Sequence, residues 1–215
     1  MCAALAEPSP TATTRWARSA RADAFRIVGA MLALMWIVEI IDAIDSHRLD
    51  SNGIVPRSVS HLPGIFFAPF LHAGFGHLLG NTVPFAILGA VIAFEGARRL
   101  LTVTAIAIVV SGLGTWLVAS GSSVTIGASG VVFGYAAYLV ARGVFNRRIG
   151  QLAIGAVVGV IFGATLLWDL IPHAGISWQD HLFGAIAGIL AARLLAPERA
   201  GRRARKAVGP AEPTT

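Results

Sequence analysis

Four side chains in this chain have the types and spacing that acyl transfer requires. They are His77, Asn81, Ser129 and His181. A serine hydroxyl is a weak nucleophile until a neighbouring imidazole takes its proton, and the oxyanion of the tetrahedral intermediate needs donors fixed in advance. His77 and Asn81 stand four residues apart, so on a helix they share one face. Ser129 lies in the run Gly127-Ala128-Ser129-Gly130, whose small residues let a substrate approach the backbone. If a helix starts there, its dipole also favours a developing negative charge. The nucleophile elbow of soluble hydrolases joins a strand to a helix, and no strand is plausible here.

Taken singly, each residue has a plainer role. Ser129 could be a small residue that lets helices pack closely. His181 could sit at a membrane interface, and Asn81 could bridge two helices. Asp180 adjoins His181, but neighbours on a helix do not face each other, so Asp180 is a poor third member of a triad. His72 and His77 are five apart rather than four and no HExxH run accompanies them, so no metal site is expected. Gly184 and Gly188, one turn apart, fit the packing of the last apolar segment against the one that begins at Ser129. Glu39, Asp42 and Glu95 lie near the ends of apolar segments and are expected to be solvated.

The elements that must position these residues follow from composition. Of 215 residues, 55% are apolar before any of the 24 glycines is counted, 13% are charged, and the mean hydropathy is +0.71. A soluble domain needs far more polar surface than that, so the chain reads as an all-α integral membrane protein. The single cysteine, Cys2, excludes an intramolecular disulfide, and no cofactor is implied. The net charge of +6 comes from short basic runs between apolar stretches and at the two ends, a topology pattern rather than a nucleic-acid surface.

About 20 apolar residues cross the hydrocarbon layer, and six such spans are predicted. They cover 25–44, 75–94, two within the uncharged stretch 100–141 with a break at Ser120-Gly121-Ser122-Ser123, then 149–168 and 178–196. Residues 1–22 are expected to be a disordered tail rather than a signal peptide, 23–197 the membrane domain, and 198–215 a disordered basic tail. Of the 17 Lys and Arg, 15 fall on one side of this arrangement, while Arg48 and Arg57 fall on the other. Both termini are therefore expected in the cytoplasm of a multi-pass cell-membrane protein. The second, fourth and sixth spans then start from the outer face, so the four polar residues near their beginnings can meet at one depth.

That constellation resembles the rhomboid family of intramembrane serine proteases. Residues 72–81, HAGFGHLLGN, look like the family's HxxxxHxxxN motif; residues 127–130, GASG, look like its GxSG; residues 181–188, HLFGAIAG, look like its histidine followed by GxxxG. The resemblance implies a six-helix bundle that cleaves transmembrane or juxtamembrane segments of other membrane proteins. In it, Ser129 is the nucleophile and His181 the base, a dyad without a carboxylate. His77, Asn81 and the Ser129 amide form the oxyanion hole, Phe133 packs on the catalytic imidazole, and His72 orders the outer loop. Two departures stand out. Pro63 and Gly64 occupy the place of a Trp-Arg pair, and Phe133 replaces the usual tyrosine. A second class stays open: a non-catalytic rhomboid-like binder of transmembrane clients, or a small transporter. The presence of both Ser129 and His181 argues against the binder, and the lack of an internal repeat against the transporter.

Overall fold

The computed structural model describes residues 12–172 and 175–197, with side chains from Ser19 onward. The described residues form seven α-helices and no strand: α1 Ala12–Ile44, α2 Gly64–Phe67, α3 Phe75–Ala93, α4 Ala97–Val118, α5 Ser129–Asn146, α6 Ile149–Trp168 and α7 Trp178–Leu194. Every predicted span is present as a helix. Four helical stretches are long and apolar enough to cross a bilayer by themselves: Ser19–Ile44, α3, α4 and α6. Their outward side chains, Ile37, Ile41, Val157, Val160 and Ile161 among them, are more than half exposed, which suits lipid rather than water. α5 and α7 have the most extensive contact with each other, and α5 also packs on α3, α4 and α6. Enclosed in this way, α5 can carry Tyr135, Tyr138 and Arg142 buried against protein, so its composition is less purely apolar than a lipid-facing helix requires.

Backbone proximity explains the glycines of α7. A Cβ on Gly184 would lie 2.2 Å from the Gly130 carbonyl oxygen, and one on Gly188 would lie 2.1 Å from that of Gly134. The two helices therefore touch backbone to backbone, and the start of α7 is locked against the start of α5.

The segment between α1 and α3 is folded, with 3-10 turns at Leu49–Asn52, Val59–His61 and Ala68–Phe70 flanking α2. Ile54, Ile65 and Ala68 form a small separate core backed by Trp116. Ile54 and Thr125 exchange backbone hydrogen bonds of 2.9 and 3.0 Å. The Trp116 indole donates to the Ser58 carbonyl at 3.0 Å, and Arg57 donates to the Leu117 and Ala119 carbonyls at 3.2 and 2.8 Å. These bonds fix the α4–α5 connection, from which Ser129 emerges.

Several expectations need correction. α1 begins at Ala12, so residues 12–22 are helical and not part of a disordered tail; residues 1–11 and the 198–215 tail lie outside the described residues. Counting apolar runs finds what lipid requires, and the Arg- and Ala-containing run before Phe25 is helix-favouring without being apolar. Glu39 and Asp42 are not solvated: they are 0% and 1% exposed beneath the loop that follows α1. Glu95 is paired with Arg142 and Arg99, and Tyr138 donates to it at 3.0 Å. Arg142, just past the uncharged stretch 100–141, lies inside α5, because this pair lets a guanidinium stay within the bundle. Arg99 also donates to the Leu195 carbonyl at 3.0 Å, tying the end of α7 to α4.

Candidate active site

Ser129 is the first residue of α5, where backbone amides have no partner in a preceding turn. The chain reaches it through Gly127, whose φ of +113° strongly favours glycine and whose amide donates to the Ala68 carbonyl at 2.8 Å. A side chain there would also strike the His77 ring at 2.7 Å and come within 3.4 Å of the Asn81 amide nitrogen. The donor groups of α3 are thus held directly against the peptide that precedes the serine.

The His77 ring is oriented by the Ala73 amide, which donates to Nδ1 at 3.3 Å. An Nδ1 that accepts leaves the proton of the neutral ring on Nε2, so Nε2 is a donor. Asn81 spends one amide hydrogen on the His77 carbonyl at 3.3 Å and retains a second. His72 does not line the site. It is fully buried behind His77, with ring centroids 5.1 Å apart in an edge-on arrangement. Burial first, and His77 second, push its pKa down to about 4, so it is neutral at physiological pH.

His181 lies in the first turn of α7. Its ring stacks on Phe133 at 4.2 Å and 8° between planes. Its Nδ1 lies 2.9 Å from the Asp169 carbonyl oxygen. A carbonyl can only accept, so Nδ1 carries the proton and Nε2 presents a lone pair, as a general base must. Ser129, His181, His77 and Asn81 all border one open cavity of about 910 Å³, whose rim includes Thr125, Ser177 and residues of the α6 end such as Thr165.

Asp180 takes a part that the sequence did not reveal. Its carboxylate reaches the start of α5. There it accepts from Thr115 Oγ1 at 3.4 Å and from Ser129 Oγ at 3.5 Å, with the Ser111 hydroxyl and Gly130 amide also bonded to it. A Cβ on Gly130 would fall 2.5 Å from its carboxylate, so Gly130 makes room for it. This carboxylate caps α5 from another helix, where negative charge meets the positive end of the dipole. The Ser129 hydroxyl faces Asp180 in this conformation. The signal available in sequence was an acidic residue at the threshold of an apolar helix, which reads as solvated unless its neighbours in space are known.

A membrane-type helical bundle with a serine and a histidine on one open cavity defines a class, and comparison with known proteins supplies the family. Residues 59–198 match the Rhomboid domain. An uncharacterized protein of Mycobacterium tuberculosis (strain H37Rv) is 43% identical over 185 residues, covering 82% of this chain and 77% of its own length. An uncharacterized protein of Mycobacterium leprae is 43% identical over 186 residues, covering 82% and 73%. A Bacillus subtilis protein named "Putative rhomboid protease YdcA" is 33% identical over 122 residues, covering 56% and 60%. The chain belongs to the rhomboid family and is a multi-pass membrane protein.

Proposed function

We propose that the protein is an intramembrane serine endopeptidase that cleaves transmembrane or juxtamembrane segments of other membrane proteins. The observation that carries this reading is the joint arrangement of Ser129 and His181 on one cavity, with Nδ1 of His181 held by a carbonyl so that Nε2 is the free base. In the reaction, the Ser129 side chain rotates from Asp180 to His181, and Nε2 takes the hydroxyl proton as Oγ attacks the scissile carbonyl carbon. The oxyanion is received by His77 Nε2–H, the Asn81 amide and the backbone N–H at Ser129. The imidazolium then protonates the leaving amine, and a water activated by the same ring hydrolyses the acyl-enzyme. Asp180 does not relay charge to His181; it holds the start of α5, and with it the serine, in place.

The same reading places all six apolar helices across the bilayer with both termini in the cytoplasm, supported by the distribution of 15 of the 17 Lys and Arg. Reporter fusions at Ser122 and Gly175 should report the outer side and one at Arg147 the cytoplasm. α6 packs mainly on α5 and has no comparable interface with α3, which favours access of a substrate helix between α3 and α6. Co-expression with a panel of single-span proteins tests the activity. A fragment that appears with wild type and vanishes with Ser129→Ala supports it, and a fragment that persists with Ser129→Ala contradicts it. A non-catalytic binder would capture a client without cleaving it.

A further inference from the structure

Three carboxylates and an imidazole meet where α1 ends, away from the cavity that holds Ser129. Ser46 and His47 both have left-handed backbones (φ 60° and 58°), and the His47 amide bonds back to the Asp42 carbonyl at 2.8 Å. This reversal folds the chain over the helix end, and the turn Leu49–Asn52 follows at once. The Leu49 amide donates to Asp42 Oδ1 at 2.7 Å, which fixes that carboxylate. Its other oxygen lies 3.8 Å from His47 Nδ1. One ligand atom each from Asp42, His47 and Asp50 lie within 4.8 Å of one another.

Asp42 Oδ2, Asp50 Oδ1 and both carboxylate oxygens of Glu39 are buried without a well-formed hydrogen bond; the Gly74 amide is the backbone donor nearest Glu39, and the Asp42 and Asp50 carboxyls lie against each other. Glu39 is 0% exposed, one turn before Asp42 on the same helix face, and close enough to interact electrostatically with both Asp42 and His47. Buried carboxylates without donors are costly unless a proton or a cation neutralises them. Arg48, the adjacent cation, is turned to Asp45 at 3.8 Å. His47 alone cannot balance three acids.

We propose that Asp42, His47 and Asp50, supported by Glu39, bind one divalent cation that fastens the end of α1 to the loop that follows it. Mixed carboxylate and imidazole donors suit a first-row ion of the Mn²⁺ or Zn²⁺ kind better than an all-oxygen Ca²⁺ cage. None of the four residues borders the Ser129 cavity, so this site is independent of the proteolytic reading.

The test uses the purified full-length protein, stripped with EDTA and dialysed against Mn²⁺, with bound metal counted and melting temperature recorded on the same samples. The expected result is one saturable Mn²⁺ per chain, displaced by Zn²⁺, with a rise in melting temperature. Asp42→Asn and Asp50→Asn should each weaken binding by at least about tenfold. Should Asp42→Asn fail to fold, the less buried positions carry the test through Asp50→Asn and His47→Gln. Absence of saturable binding up to about 1 mM Mn²⁺ overturns the proposal, as does binding undiminished by Asp50→Asn and His47→Gln.

Discussion

Gly184→Ala separates positioning from folding. A Cβ at this position would sit 2.2 Å from the Gly130 carbonyl oxygen, against an ordinary contact of 3.4 Å or more. The helices must therefore part locally by about 1 Å, and backbone on both sides leaves no flexible side chain to yield. Overpacking of this kind costs about 1–3 kcal/mol, which a domain stable by about 5–15 kcal/mol survives. The catalytic penalty should show in protein that is still folded. Gly184 lies one turn after His181, and Gly130 follows Ser129, so the displacement falls on the distance between nucleophile and base. Misplacement by about 1 Å costs on the order of 10²-fold in rate. Turnover of a transmembrane peptide substrate and melting temperature, measured on the same detergent-solubilised samples, should show an activity loss of about that size in protein that is still folded. Turnover within about threefold of wild type, in a variant that melts like wild type, would refute the argument that this backbone contact sets the Ser129–His181 geometry.

Other expectations follow from the same structure. His77→Ala and Asn81→Ala should each lower turnover by about 10²–10³ while leaving Ser129 reactive toward a small phosphonylating probe; activity that falls only as far as the folded fraction would sink the oxyanion role. Asp180→Ala should lower the melting temperature, as loss of a helix cap worth about 0.5–2 kcal/mol, with Asp180→Asn milder because it still accepts from the Gly130 amide; equal melting in all three proteins would exclude the cap. Glu95→Ala strands the Arg142 guanidinium in the bundle and should cost about 3–5 kcal/mol, whereas a double change to Glu95→Leu, Arg142→Met should recover much of it. His72 has a native pKa near 4, below the ordinary 6.5. The unfolded chain thus binds more protons between those values, so the stability due to neutral His72 is full above pH 6.5 and is lost as pH falls toward 4. His72→Phe should flatten that limb of a melting-temperature profile, and an unchanged slope would contradict it.

The candidate constellation was legible because its residues are polar in apolar company and keep fixed spacings, and because every second predicted span starts from the same expected face. His77, Asn81, Ser129 and His181 needed no knowledge of how the loops fold. Asp180, Glu39 and Asp42 did. Each stands near a helix end, where a charge is solvated or buried according to what covers it. The cover for Glu39 and Asp42 is the left-handed turn at Ser46 and His47, and for Asp180 it is the start of α5, held by contacts distant in sequence. Whether Arg142 sits inside the bundle is likewise decided by a tertiary contact, since its partner Glu95 comes from the α3–α4 connection. The glycines were read correctly as packing residues, but the backbone contacts of Gly184 with Gly130 and Gly188 with Gly134 are tertiary facts that spacing does not contain.

The central claim is that His181 activates Ser129 for acyl transfer, and labelling of the purified protein by a fluorophosphonate probe tests it most directly. Wild type should label with the adduct mapped to Ser129 by mass spectrometry, Ser129→Ala should not label, and His181→Ala should label far more slowly while remaining folded. A folded wild-type protein that does not label, or that labels equally well without His181, would contradict the account.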